Sequence, residues 1–155
     1  MAIDAMVIII LIGILSMYVF YLVSLYVKLE NRRSLILSKF TEVNNQIENK
    51  LELTKELLDV LENKELNNVR IDLLNSVSVN DKIKNSKILD SIIDDIESDN
   101  RKVNKILKSL KEVNDRINYS KEFYNDSIYE YNTILATKSG NILKKVFKYS
   151  EYNTF

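Results

Sequence analysis

From Ala5 to Val27 the chain carries no charged residue. As a helix rising roughly 1.5 Å per residue, that run is about 35 Å long, more than the roughly 20 apolar residues a bilayer core needs. A helix apolar on every side has to be covered, by protein or by lipid. The rest of the chain is too short to build a protein layer around it, so residues 1–27 are expected to form a retained transmembrane anchor. A secretory signal peptide fits badly, because its apolar region is about 7–15 residues long, with basic residues before it. Here the flank before the run carries Asp4, and the absence of Cys excludes a lipoprotein anchor. Tyr18, Tyr21 and Tyr26 lean toward the far end of the run, where an interfacial aromatic belt sits. Lys28, Arg32, Arg33 and Lys39 follow it, opposed only by Glu30. The positive-inside rule then predicts a single-pass protein of the inner (plasma) membrane, N-terminus outside and body cytoplasmic.

The helical pattern does not stop at the anchor. Ile36, Phe40, Val43, Ile47, Leu51, Thr54, Leu58 and Leu61 recur at intervals of three and four, which places them on one helix face. Pro is absent and Gly occurs twice, so nothing breaks this helix and little supports a turn-rich β architecture. One helix is expected from near residue 4 to near residue 62, with a boundary at Asn63. Leu66, Val69, Leu73, Leu74 and Val77 form a second, shorter stripe. Residues 76–81 read as a turn in which Asn80 or Asp81 caps the next helix. Ile83, Leu89, Ile92, Ile93 and Ile96 form a third stripe, and Ser98-Asp99-Asn100 a second turn and cap.

The longest stripe runs from about Asn100 to Lys138, through Val103, Ile106, Leu110, Val113, Ile117, Ser120, Tyr124, Ile128, Tyr131 and Ile134. Asn114 lies off this face. Within the stretch Tyr124-Asn125 recurs seven residues later as Tyr131-Asn132. An up-down path lays the two short middle helices against the membrane-distal half of the long pair. The proximal half is left with two helices alone, which points to self-association or a partner there. Ser139-Gly140 is the expected turn after the long helix. The following segment sets Ile142, Leu143, Val146 and Phe147 against Lys144, Lys145 and Lys148, with Tyr149, Tyr152 and Phe155 beyond. Two readings of that segment stay open: a cap on the bundle, or a basic amphipathic helix lying in the headgroup region of the membrane.

Little in the composition asks for chemistry. Lys+Arg and Asp+Glu stand at 22 each, which gives no case for nucleic acid. Without His or Cys the commonest general base and the commonest metal ligands are missing. No Gly-rich phosphate loop or nucleophile motif is present. Asp90, Asp94, Asp95, Glu97 and Asp99 form an acidic patch that lacks the spacing of a calcium loop and reads as a solvated face. No enzyme, cofactor or metal is expected.

The run Arg116-Ile117, Ser120-Lys121, Tyr124-Asn125, Ile128, Tyr131-Asn132, then Asn141 and Phe147, resembles the signature of the LemA family. In the stalk Tyr26, Leu29, Phe40 (where the family usually has Trp), Val43, Gln46, Ile47, Lys50, Leu53 and Leu57 fall on matching positions. The chain departs from the family at Ala136-Thr137-Lys138, which stands in place of Phe-Pro, and at Lys55, where the family has a stalk proline. The family's turn before the last helix is not recognisable around Asp94 to Arg101, so the chain looks like a divergent, shortened member. The resemblance implies a membrane helix followed by an antiparallel helical bundle, with no established enzymatic activity. The family's genes often sit near membrane-protease genes in bacteria, so the resemblance makes a membrane protease system one candidate partner.

The expected fold is all-α: a transmembrane helix (1–27) continuing into an antiparallel, coiled-coil-like bundle of about four helices (28–138), then a short amphipathic segment (139–155). The expected function is that of a non-enzymatic adaptor or scaffold with an unidentified protein partner or a second copy of itself. The alternative is a membrane-surface protein that binds anionic lipid and senses or shapes the bilayer. A third reading is a small phage or lysis-type membrane protein. Arg116, Tyr124, Asn125, Tyr131 and Asn132 are the candidate partner or packing residues, the two Tyr-Asn pairs being either a groove or a packing layer. Lys28, Arg32, Arg33, Lys144, Lys145 and Lys148 are the candidate membrane-surface residues.

Overall fold

In the computed structural model the backbone is described for residues 2–155 and side chains for residues 6–155; Met1 and the Asp4 side chain lie outside the described residues. Five helices account for the secondary structure among the described residues: α1 (Ala2–Leu58), α2 (Lys64–Asn75), α3 (Val79–Asp94), α4 (Arg101–Ala136) and α5 (Lys138–Phe147). The all-α expectation holds. α1 joins the apolar run to the stalk without a break, as the lack of helix-breaking residues requires. It stops four residues short of the expected end. Asp59 and Leu61 donate back to Lys55 and Leu57 as the helix unwinds, and Asn63 takes an extended conformation to accept from the Leu66 amide and cap α2.

Between Met6 and Val27 no side chain is buried; Ile9 is 69% exposed and Phe20 78%. An 18-residue stretch of α1 reaches a mean hydropathy of 2.7, and the helix is long and apolar enough to cross a membrane.

The chain divides into two compact units. One contains residues 38–124 and Phe155. Here α2 and α3 pack on each other as a helical hairpin and join the last third of α1 and the first two-thirds of α4. α1 and α4 are antiparallel: Phe40 meets Tyr124, and ten residues further along α1, Lys50 meets Asn114 of α4. The core includes Val43, Ile47, Leu57, Leu66, Leu73, Leu89, Val103, Leu110 and Ile117. α3 is capped by Ser78 rather than by the expected Asn80 or Asp81. The Ser78 hydroxyl accepts from the Asp81 amide at 3.0 Å and donates to the Asp81 carboxylate at 2.6 Å, which ties the first turn from both sides. Val77, expected on the α2 stripe, lies past the helix end and is 97% exposed. Asn100 caps α4 as expected, accepting from the Lys102 amide.

The other unit contains residues 1–37 and 125–154. It is not the bare helix pair expected of the membrane-proximal half. α5 and the segment after it fill it in, so Leu29, Ile36, Ile128, Tyr131, Ile134, Leu135, Leu143 and Tyr149 are all buried. The corner before α5 is Thr137, not Ser139-Gly140, both of which are helical. Thr137 accepts from the Gly140 amide and donates to the Ile134 carbonyl. The corner is tight: a Cβ on Gly140 would stand 1.9 Å from the Ile134 carbonyl oxygen. α5 closes at Lys148, which adopts the left-handed conformation at φ 55°; such a helix end is usually glycine.

All ten residues of the long α4 stripe are buried. On α1 the buried stripe differs from the expected one. Phe40 is 37% exposed and Leu51, Leu58 and Leu61 are only partly covered, whereas Lys50 and Leu57 are fully buried.

Candidate binding site

The second Tyr-Asn pair holds a peptide segment. Asn132 lies on α4, half-buried, with its carboxamide beside Tyr152. Its Nδ2 donates to the Tyr152 carbonyl at 2.9 Å, and its Oδ1 accepts from the Tyr152 amide at 3.2 Å. One side chain thus satisfies both backbone groups of a residue that belongs to no helix or strand. A carboxamide is suited to this because it carries a donor and an acceptor side by side. Tyr131, 1% exposed, presents its ring edge-on to Tyr152 at 5.2 Å and to Tyr149 at 6.3 Å, an arrangement that aromatic quadrupoles favour. Burial pushes the Tyr131 phenol above its ordinary range, with the Tyr152 phenol as the next cause.

The same segment is held at Tyr149. Its hydroxyl donates to the Glu30 carboxylate. Burial, then this contact with a carboxylate, raises the Tyr149 phenol well above its ordinary value of 10.0. Hydrogen bonding to Tyr152, then the charge of Glu30, holds the Arg33 guanidinium above its ordinary range. Beside the clamp a groove of about 490 Å³ opens between α4 and residues 151–154, floored by Ile128, Asn132, Thr133 and Ala136.

In the unit that contains Tyr124, the first tyrosine stacks on Phe155 with ring centroids 4.2 Å apart, and Phe40 faces both rings at 6.2 Å. Tyr124 is 7% exposed and Asn125 half-buried. Arg116 is exposed on α4.

The expected membrane-surface residues divide. Lys28 is exposed. Arg32 pairs with Glu130 at 2.7 Å, and Arg33 lies 3.7 Å from Glu30. Lys144 pairs with Glu151 at 2.7 Å. Lys145 and Lys148 are exposed, as is Lys138, which the sequence reading passed over.

A second polar cluster was not expected. Lys50 is 0% exposed, and its ammonium reaches the Asp90 carboxylate at 2.5 Å, the Ser86 hydroxyl at 2.8 Å, the Ser86 carbonyl at 3.1 Å and the Asn114 carboxamide at 3.5 Å. Burial lowers the Lys50 pKa although Asp90 opposes it, and burial raises that of Asp90 although Lys50 opposes it. Asp90 therefore leaves the solvated acidic face on which its spacing had placed it. Asn114, off the apolar stripe, is not a bystander either. The signal available in the sequence was position: Lys50 stands at helical spacing between Ile47 and Thr54, both buried.

No similar protein is found among curated proteins, and none among solved structures. The model of the LemA family matches residues 26–155, which takes in the stalk, all of α2 to α5, both Tyr-Asn pairs and the segment they hold. The chain belongs to the LemA family.

Proposed function

We propose that this protein is a membrane-anchored, non-enzymatic adaptor that grips an extended segment of a partner protein. The observation that carries the reading is the two-point grip of Asn132 on the backbone of Tyr152. Backbone hydrogen bonds of this kind supply affinity for an extended peptide whatever its sequence, and pockets for its side chains supply choice. Tyr131 provides such a surface for aromatic side chains. Residues 149–154 occupy it within the chain, with the aromatic residues Tyr149 and Tyr152 three positions apart. A partner segment with the same aromatic spacing is the kind of ligand the site fits, taken up by displacing the resident one.

In this reading the apolar part of α1 crosses the inner membrane of a bacterium, and the basic residues after Val27 keep the body in the cytoplasm. A substrate or subunit of a membrane protease system, or a second copy of the chain, is a partner of the right kind. The test is a photocrosslinking residue in place of Thr133, which lines the groove, in the full chain in its native membrane. The adaptor reading expects one constant protein adduct that is lost with Asn132→Ala. Adducts to lipid alone, or a protein adduct indifferent to Asn132, overturn it.

A further inference from the structure

The sequence left two readings of α5 open, bundle cap or membrane-surface helix, and its two sides differ in burial. Gly140 and Leu143 are buried, so one side is a cap. Ile142 is 43% exposed, Val146 65% and Phe147 49%. Ile142 and Val146 are four apart and share a face, and the exposed Lys138 and Lys145 flank it. Water is a poor solvent for that row, and the place of α5 says what covers it. The Phe147 ring lies 4.8 Å from that of Tyr26, which stands at the end of the uncharged run, two residues before Lys28. The contact brings α5 to the level at which α1 turns from apolar to basic.

We infer that α5 lies in the headgroup region of the leaflet where α1 leaves the bilayer, with Ile142, Val146 and Phe147 against the acyl chains and Lys138 and Lys145 among anionic headgroups. An interfacial helix buries its apolar face about 5–10 Å into that boundary, and basic residues on its polar face bind anionic lipid. Lys144 takes no part, being held by Glu151. The inference rests on the reading of α1 as a membrane span. It adds a lipid contact to the adaptor function and does not require the peptide grip.

The chain has no cysteine, so a single introduced thiol can carry a unique fluorescent label. Ile12→Cys, Val146→Cys and Asn141→Cys are made in the full chain, labelled with an environment-sensitive dye and reconstituted in phosphatidylcholine–phosphatidylglycerol liposomes, with circular dichroism to confirm the helix content of each. Lipids spin-labelled high on the acyl chain should quench the dye at Val146 several-fold more than at Asn141, which lies on another side of α5. Lipids labelled deep in the chain should quench it at Ile12. Lys138→Gln with Lys145→Gln should reduce quenching at Val146 toward its value in pure phosphatidylcholine. Quenching at Ile12 with equal, water-like signals at Val146 and Asn141 overturns the placement of α5 and leaves the span standing. Absence of quenching at Ile12 overturns the span and the placement together. Indifference to the lysine substitutions overturns the headgroup contact.

Discussion

The Tyr149 hydroxyl donates to the Glu30 carboxylate across 119 positions of sequence. It fastens the segment after α5 to the first turns of α1 beyond the apolar run. Removing it with Tyr149→Phe should cost about 1.5–3 kcal/mol, the range for a hydrogen bond to a charged group. The loss stays moderate because Arg33 still faces Glu30. The folded-state pKa of Tyr149 lies above its unfolded value of 10.0, so above pH 10 the folded chain holds a proton that the unfolded chain releases. The stabilisation is complete below pH 10 and declines as pH rises beyond it. Thermal unfolding followed between pH 8 and 11 in detergent should show this decline in the native chain and a shallower one in Tyr149→Phe.

Lys50 and Asp90 should respond unequally to substitution. Asp90→Ala strands a buried ammonium and should cost about 3–5 kcal/mol. Lys50→Met should cost less, about 1–3 kcal/mol, because the Asp90 side chain is 22% exposed and can reach water. The double variant should recover much of the loss from Asp90→Ala, since a buried pair replaced by apolar groups is often nearly neutral. A double-mutant cycle by chemical denaturation measures this. The pH dependence has a definite sign. The folded pKa of Lys50 lies below 10.5, so stability rises with pH between the folded and unfolded values. That of Asp90 lies above 3.8, so stability falls as pH climbs from 3.8 through the folded value.

Ile117 is 3% exposed in the core of the unit around α2 and α3. Ile117→Asp buries an unpaired charge and should cost on the order of 3 kcal/mol or more. Glu112→Gln, exposed on the same helix, should change stability by about 0.5 kcal/mol or less. Asn114→Asp is unsuitable as the neutral control, because it places a carboxylate beside Lys50. Equal melting temperatures for Ile117→Asp and Glu112→Gln would contradict the packing of α4.

Lys148 holds a left-handed conformation that costs a non-glycine residue about 1–2 kcal/mol. Lys148→Gly should raise stability by about 0.5–1 kcal/mol, part of the relief being offset by the greater freedom of glycine in the unfolded chain. A lowered melting temperature would contradict the strain assigned to Lys148.

The α4 face was fully legible because ten positions at helical spacing leave no second way to bury them. The α1 face was legible only in part. A spacing rule that counts apolar residues cannot register Lys50, whose burial depends on Asp90, 40 positions away, being presented by α3. Element ends were misread where two residues compete to cap, as at Ser78 and Asp81: both take part, and the hydroxyl wins the cap position. The Tyr-Asn pairs were found by their repetition, and the second pair packs on the chain's own segment around Tyr152. That grip could not be read from the sequence, because the spacing of Tyr149, Tyr152 and Phe155 says nothing about which helix receives them.

The Thr137 corner has a consequence for how this chain can change length. Only one residue separates α4 from α5, and Gly140 is already against the Ile134 carbonyl. There is no slack to absorb an insertion. One extra residue at Ala136 or Thr137 would turn everything after it by about 100° about the helix axis. Leu143 would then rotate outward and a lysine would come round toward the interior. Insertions and deletions should therefore accumulate in the connections around α2 and α3, while the spacing from Tyr131 to Tyr149 stays constant among chains that keep this fold.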